Sequence, residues 1–238
     1  MVKYLVLLLT LGFTTAIHAQ LITANKNTAA IIQFDSTTNV YLNFGLVSSF
    51  RTLKPNEAFL NTPLGLRENE IPLTLTSFEV GISMPILKGL KINAGLSLVQ
   101  NGEAYSWTSN INDSSFAYTS VYRYIALPIS LSTSYGKKLK LRLSAGLTPA
   151  VFNSYKKEEL WTEADGSNYD DETAIQDDLN SFVFSAQGSA GLEYFFRLFS
   201  IRASYIYRQQ LSNTYKENQD YIHKSNASGG QLTFTYFL

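Results

Sequence analysis

From Val40 to the C-terminus, apolar and polar residues take turns along the chain. Val40, Leu42, Phe44 and Leu46 share one parity, and Tyr41, Asn43 and Gly45 take the other. The pattern returns over 78–84, 90–98, 125–131, 139–147, 184–194, 199–207 and 232–238. Alternation with period two separates the residues onto the two faces of a pleated strand, so these segments predict eight strands. Their connections sort by length. The joins at 87–89, 136–138 and 197–198 are short, whereas those at 52–72, 101–115, 156–180 and 213–227 are long and polar. Strict short–long alternation is the layout of an up-and-down membrane barrel, and a sandwich mixes loop lengths at both ends. The expectation is an all-β chain: a single eight-stranded antiparallel up-and-down transmembrane β-barrel over 39–238. A further strand or a short plug at Ala29 to Phe34 leaves ten strands open.

Register supplies a second reading. With Arg197 and Leu198 as a turn, Phe196 faces Phe199, Tyr194 faces Ile201 and Leu192 faces Ala203, while Glu193 lies opposite Arg202. A turn centred on Lys137 pairs Tyr135 with Leu139, Thr133 with Leu141 and Leu131 with Leu143. Like parities meet in both, as a half-buried sheet requires.

Which face meets lipid depends on where the chain resides. Residues 1–19 carry Lys3, an apolar run over 4–13 and a small residue at Ala19, the pattern of a signal peptide cleaved before Gln20. A lead-in segment of 20–38 then precedes the barrel. The apolar run is shorter than the roughly 20 residues a helix needs to span, so any crossing is made by strands. The polar parity is rich in Gly, Ser, Asn and Thr, and charged residues make up only 16% of the chain. Small polar side chains suit a narrow, filled interior, so the apolar parity is expected to face lipid in the cell outer membrane. The rival is a lipocalin-like soluble barrel with the faces exchanged. Aromatics near strand ends mark membrane interfaces, with Tyr118, Tyr122 and Tyr124 at one end and Tyr135, Tyr194, Phe196, Phe199 and Tyr236 at the other.

Composition closes other routes. The 19 basic and 19 acidic residues cancel, and removing Lys3 leaves 18 against 19, a net −1. That balance does not suit a nucleic-acid binder. With no cysteine, disulfides, thiolate zinc and a cysteine nucleophile are excluded, and the sequence implies no cofactor.

The segment Tyr124-Ile-Ala-Leu-Pro-Ile-Ser-Leu131, the turn Tyr135-Gly-Lys-Lys-Leu139 and the return Leu143-Ser-Ala-Gly-Leu-Thr-Pro149 together resemble the central hairpin of Bacteroidota outer-membrane β-barrel proteins of the PorT-like family. The tail Gln231-Leu-Thr-Phe-Thr-Tyr-Phe-Leu238 is similar to the terminal strand that such barrels present to the barrel-assembly machinery, with Leu where Phe is usual. The resemblance implies a fold and a location. It does not carry over the secretion role of one family member.

Three groups of residues stand out. Glu79, Lys91, Lys140, Arg142, Glu193, Arg202 and Arg208 fall on the interior parity. Charges in so narrow a barrel must pair, which predicts an ionic plug; the alternative is a small anion-selective pore. The 156–180 loop holds nine acids against Lys156 and Lys157, a net −7, including Asp165, Asp170, Asp171, Glu172, Asp177 and Asp178. Such oxygen density suits Ca²⁺, although the spacing matches no twelve-residue calcium loop and a solvated acidic loop is the plainer outcome. His223 and Ser225 in the last loop resemble the His-x-Ser pair of outer-membrane lipid A deacylases. That family places an acid after the pair, and here none follows Asp220. Arg123 lies on the lipid parity near a strand end, placed to reach phosphate.

The function so predicted is structural or interactive, with four surface loops presented to a ligand or protein partner. Lipids and lipopolysaccharide of the outer membrane surround it. A narrow pore or secretion-assembly component is the first alternative, and a lipid-modifying enzyme the second.

Overall fold

The computed structural model describes residues 37–55, 69–109, 111, 114–173, 177–216 and 221–238, without the side chains of 53–55, 172, 173 and 221. The signal segment, the Ala29–Phe34 segment and all of the lead-in but Thr37 and Thr38 lie outside them.

Among the described residues there are eleven strands, of which nine make eight staves. β1 (Asn39–Pro55) pairs with β3 (Leu73–Leu87), and β3 with β4 (Leu90–Thr108). The next stave is shared by β5 (Ser115–Ala126) and β6 (Ile129–Gly136), both of which pair with β4 on one side and β7 (Leu139–Thr162) on the other. β9 (Phe182–Phe195), β10 (Phe199–Gln210) and β11 (Tyr221–Phe237) follow, and β11 pairs with β1 over the full length of β1. Every pairing is antiparallel, so the sheet closes on itself and has no edge within the ring. Two short strands stand outside it: β2 (Glu70–Ile71) beside β4 and β8 (Asn168–Thr173) beside β7.

The break between β5 and β6 sits at Pro128, which has no N–H for the ladder. Its carbonyl accepts from Gly95 N at 3.2 Å, and Leu127 N donates to Pro149 O at 2.9 Å, so the stave continues through the break.

The Arg197–Leu198 turn has the register read from the sequence, with Ile201 opposite Tyr194, Ala203 opposite Leu192 and Arg202 opposite Glu193. The turn at Lys137 is different. Tyr135 pairs with Leu141, Thr133 with Leu143 and Leu131 with Ala145, a shift of two residues along β7. Gly136, at φ 131°, opens the turn in a conformation other residues avoid. Because the shift is even, no side chain changes face.

The interior is polar and the exterior apolar. Phe44, Leu98 and Leu232 are each 55–56% exposed. Asn43, Lys91, Ser97 and Thr233 are buried on the other face. A closed barrel in water has the opposite arrangement, which removes the lipocalin-like rival. Along β4 the apolar outward row runs from Leu90 to Leu98. At ~3.4 Å per residue that is about 27 Å, and a tilt of roughly 40° shortens it to about 21 Å, near the ~25 Å band of such barrels.

Candidate functional site

The functional features lie inside the ring and above the apolar band at the long-loop end. Near the short turns, Arg142 Nη1 lies 2.7 Å from Glu193 Oε2, with the two side chains 5% and 1% exposed. Ser200 Oγ donates to Glu193 Oε1 at 2.5 Å. Register sets Lys140 and Arg202 on either side of Glu193, yet Arg202 turns to Thr233 Oγ1 at 3.0 Å. Lys140 Nζ stands 4.5 Å over the Phe195 ring, which stacks on Phe237 at 5.6 Å and closes this end.

The rest of the interior is a web of hydrogen bonds. Tyr41 donates to Glu79 Oε1 at 2.6 Å and Asn43 Nδ2 to Glu79 Oε2 at 3.0 Å. The Tyr41 ring fits because Gly81 faces it: a Cβ there would lie 2.5 Å from Tyr41 Cζ. Lys91 Nζ donates to the Asn39 amide oxygen at 2.8 Å, once that amide is turned to the orientation its neighbours require. Arg208 is separate from the other charges; it donates to Gln100 O at 3.0 Å and Asn101 Oδ1 at 2.9 Å. What remains among these groups is a cavity of about 30 Å³ lined by Tyr41, Glu79, Arg142 and Arg202 among others, space for one or two waters.

A second cluster, unforeseen from the sequence, caps the long-loop end. His223 is in β11 and not in a loop. It is 1% exposed, and its Nε2 lies 2.6 Å from Glu103 Oε2. Glu103 also faces Arg51 Nη1 at 3.8 Å, and Arg51 Nε donates to Glu70 Oε1 at 3.0 Å. Tyr122 and Tyr215 pack on the imidazole at 5.5 and 5.3 Å and share a hydrogen bond of 3.0 Å. The His223 backbone anchors the covering segment, with its N–H donating to Asn213 Oδ1 at 2.7 Å and its carbonyl accepting from Thr214 N at 2.8 Å. The acid that chain order does not supply therefore comes from β4. Ser225 lies on the same strand and face, also buried, but no hydrogen bond joins it to His223, and His223 Nδ1 has no partner among the described residues.

Glu103 lies five residues beyond Leu98, above the apolar band. Burial pushes its carboxyl up, but the neighbouring His223 and Arg51 outweigh this and hold it below the usual carboxylate range. A depressed carboxylate stabilises the fold above its unfolded pKa of about 4.3 and loses that contribution as pH falls through its folded value. At pH 7, Glu103→Gln is therefore less stable than the wild type, and the gap is smaller at a pH below that unfolded value of about 4.3. Urea midpoints at the two pH values measure this; an equal gap at both removes the linkage.

Tyr122 and Tyr124, expected in the membrane-interface girdle, point inward and are buried. They share the parity of Ala126, and on a strand the parity of a side chain decides its face whatever its height. Among the described residues, exposed outward aromatics at this end include Phe50, Phe182, Tyr205 and Tyr207. At the short-turn end Tyr135, Tyr194, Phe196 and Tyr236 are exposed and Phe199 half-buried, with stacked rings at Phe196–Phe199 (4.5 Å) and Phe199–Phe234 (5.2 Å). Arg123 faces outward above Ile125.

The 156–180 segment, expected as a loop, is largely a hairpin of β7 and β8. It turns at Glu163–Ser167, with Gly166 at φ 85°. Lys156 and Lys157 engage Glu158 and Glu159, each two residues on and so on the same face, at 2.6 and 2.5 Å. Asp165 Oδ1 accepts from Ser167 N at 2.9 Å, which holds its carboxyl below the usual range. Asp170 and Asp171 alternate along β8, and Asp177 and Asp178 stand beyond it. Among the described residues no three His, Asp or Glu side chains converge on a point a metal could occupy.

A closed ring of eight staves, apolar outside and filled with polar groups, has one environment that suits it. The family model for the outer membrane protein beta-barrel domain matches residues 9–216. The chain belongs to that family. It is an outer-membrane barrel, although the match ends before β11, the strand that closes the ring. No curated protein matches the sequence significantly.

Among solved structures the chain is similar to neisserial surface protein A, at 10% identity and a TM-score of 0.43, over 84% of this chain and 97% of that one. It is similar to OprG of Pseudomonas aeruginosa, at 8% identity and 0.46, over 85% and 97%. It is also similar to Ail of Yersinia pestis, solved with the heparin analogue sucrose octasulfate, at 11% identity and 0.34, over 84% and 99%.

Proposed function

We propose that this protein is a filled, non-conducting outer-membrane barrel. Its signal segment directs export, its long-loop end faces outside, and its role is to present that end to a protein partner or ligand. The observation that carries the reading is the interior: about 30 Å³ of free space in the middle, with Arg142–Glu193 below it and Glu103–His223 above it. An ion carrying a hydration shell has no path through such a plug. In planar bilayers the purified protein should give no steady current at moderate voltage. Stepwise, salt-dependent conductance from the wild type overturns the reading in favour of a pore.

The Pro-containing hairpin and the alternating tail support a place beside the PorT-like barrels and delivery by the barrel-assembly machinery. Arg123, outward at the membrane edge, suits a lipopolysaccharide phosphate. The short Glu103–His223 contact is the one observation favouring lipid-modifying chemistry, and the lack of a His223–Ser225 hydrogen bond weighs against it. Lipid A from cells expressing His223→Ala should match that from wild-type cells; a changed acylation pattern would make the barrel a lipid-modifying enzyme.

A further inference from the structure

Above the apolar band the staves end at different heights. β4, β5 and β7 continue together, with β2 paired to β4 on one flank and β8 to β7 on the other. Register lays one aromatic row across β4, β5, β7 and β8: Trp107 opposite Phe116, Phe116 opposite Trp161, Trp161 opposite Tyr169. Phe116 and Trp161 have ring centroids 4.0 Å apart, while Trp107, Trp161 and Tyr169 are 40–56% exposed. Exposed aromatics in line are characteristic of contact surfaces rather than of solvated strands.

The row ends at a strand edge. Among the described residues β8 pairs with β7 alone, and residues 168–171 are exposed. Unpaired backbone groups on an edge accept a further strand. The charge on this edge selects which strand. From Lys156 to Thr173 two bases face seven acids, a net −5, and both bases are already engaged by Glu158 and Glu159. Asp170 and Asp171, adjacent along β8, put acid on both of its faces. A second copy of the same edge would set like charges opposite one another, which is destabilising, whereas basic side chains opposite them are favourable.

We propose that β8 takes up an extended basic segment of a partner protein as an added strand, its Lys or Arg side chains beside Asp170 and Asp171 and an apolar side chain prolonging the aromatic row past Tyr169. The inference rests on the reading of the long-loop end as the presented surface.

The test uses the full-length protein in detergent micelles and a fluorescent ten-residue peptide of alternating Lys and Val, read by anisotropy. The peptide should bind, and its Glu-for-Lys counterpart should not. The same basic peptide N-methylated at alternate amides keeps its charge and loses the strand edge, so its affinity should fall tenfold or more. Asp170→Lys/Asp171→Lys should weaken binding of the basic peptide by a similar factor, with unchanged heat-modifiable gel mobility showing an intact barrel. No binding by the basic peptide overturns the proposal. So does indifference to N-methylation, which would mean adhesion by charge alone. A neutral oligosaccharide that binds where the peptide does not would make the aromatic row a glycan platform and overturn it equally. Binding in micelles but not on intact cells leaves the edge site standing and overturns only the outward orientation.

Discussion

Replacing Glu193 by alanine should lower the unfolding free energy by about 3–5 kcal/mol, the usual cost of stranding one member of a buried ion pair. Glu193 is 1% exposed, and three cations surround it: Arg142 in contact, with Lys140 and Arg202 on the flanking strands. Its removal leaves Arg142 with no carboxylate in contact, and the Ser200 hydroxyl loses its acceptor. The Arg142 Nε already has no partner among the described residues, so local rearrangement has little to offer it. The double variant Arg142→Met/Glu193→Leu removes both charges and should recover most of the loss, because a well-packed apolar replacement of a buried pair is often neutral or better. Urea unfolding in lipid vesicles, followed by the fluorescence of Trp107 and Trp161 and by gel mobility, measures both. A single-variant cost below about 1 kcal/mol would mean that water reaches Arg142 easily, and the filled interior would be wrong.

The parts of this molecule legible in its sequence are those where one face meets lipid. There the apolar residues mark every second position, and the period, the number of staves and the Glu193–Arg202 register can all be read. Above the band both faces of a strand meet water or polar neighbours, so nothing apolar marks the period. That is why 101–108 and 156–162 read as loop although β4 and β7 continue through them. It is also why Glu103, on the interior parity of β4, is missed. His223 is lost in the same way, because Gly229 and Gly230 interrupt the pattern that would carry interior parity from Thr233 back to it. The contact between them joins residues 120 apart in sequence, on staves that are not neighbours in the ring, and no local pattern encodes such a pair. Tyr122 and Tyr124 have the opposite history. Their parity is plain in the sequence, and only their position near a strand end suggests the girdle. A tyrosine can serve either face, since its ring fills a core and its hydroxyl finds a partner there; with residues of this kind, parity is the safer guide.

The orientation of the two faces carries the second large effect. Ala203 lies midway along the outward row of β10, between Phe199 and Tyr207, and is exposed. Leu192 and Leu232 flank it on the adjoining strands. An arginine there would place its charge near the middle of the hydrocarbon, at a cost of about 2–4 kcal/mol for a lipid-facing position at the midplane. Phe199→Arg, four residues lower on the same row beside the short turn, should cost only about 0–1 kcal/mol in membrane transfer, plus whatever its ring contacts with Phe196 and Phe234 contribute. A Phe199→Leu control isolates that second part. The gradient discriminates because a water-facing barrel reverses it: on a solvated surface Ala203→Arg changes little, and the loss of the Phe199 stack is the larger effect. Folding into vesicles of defined thickness, with free energies from reversible urea titration, gives the three numbers. In thinner bilayers the Ala203→Arg penalty should shrink as the side chain reaches the interface, a dependence that loss of protein packing alone would not produce.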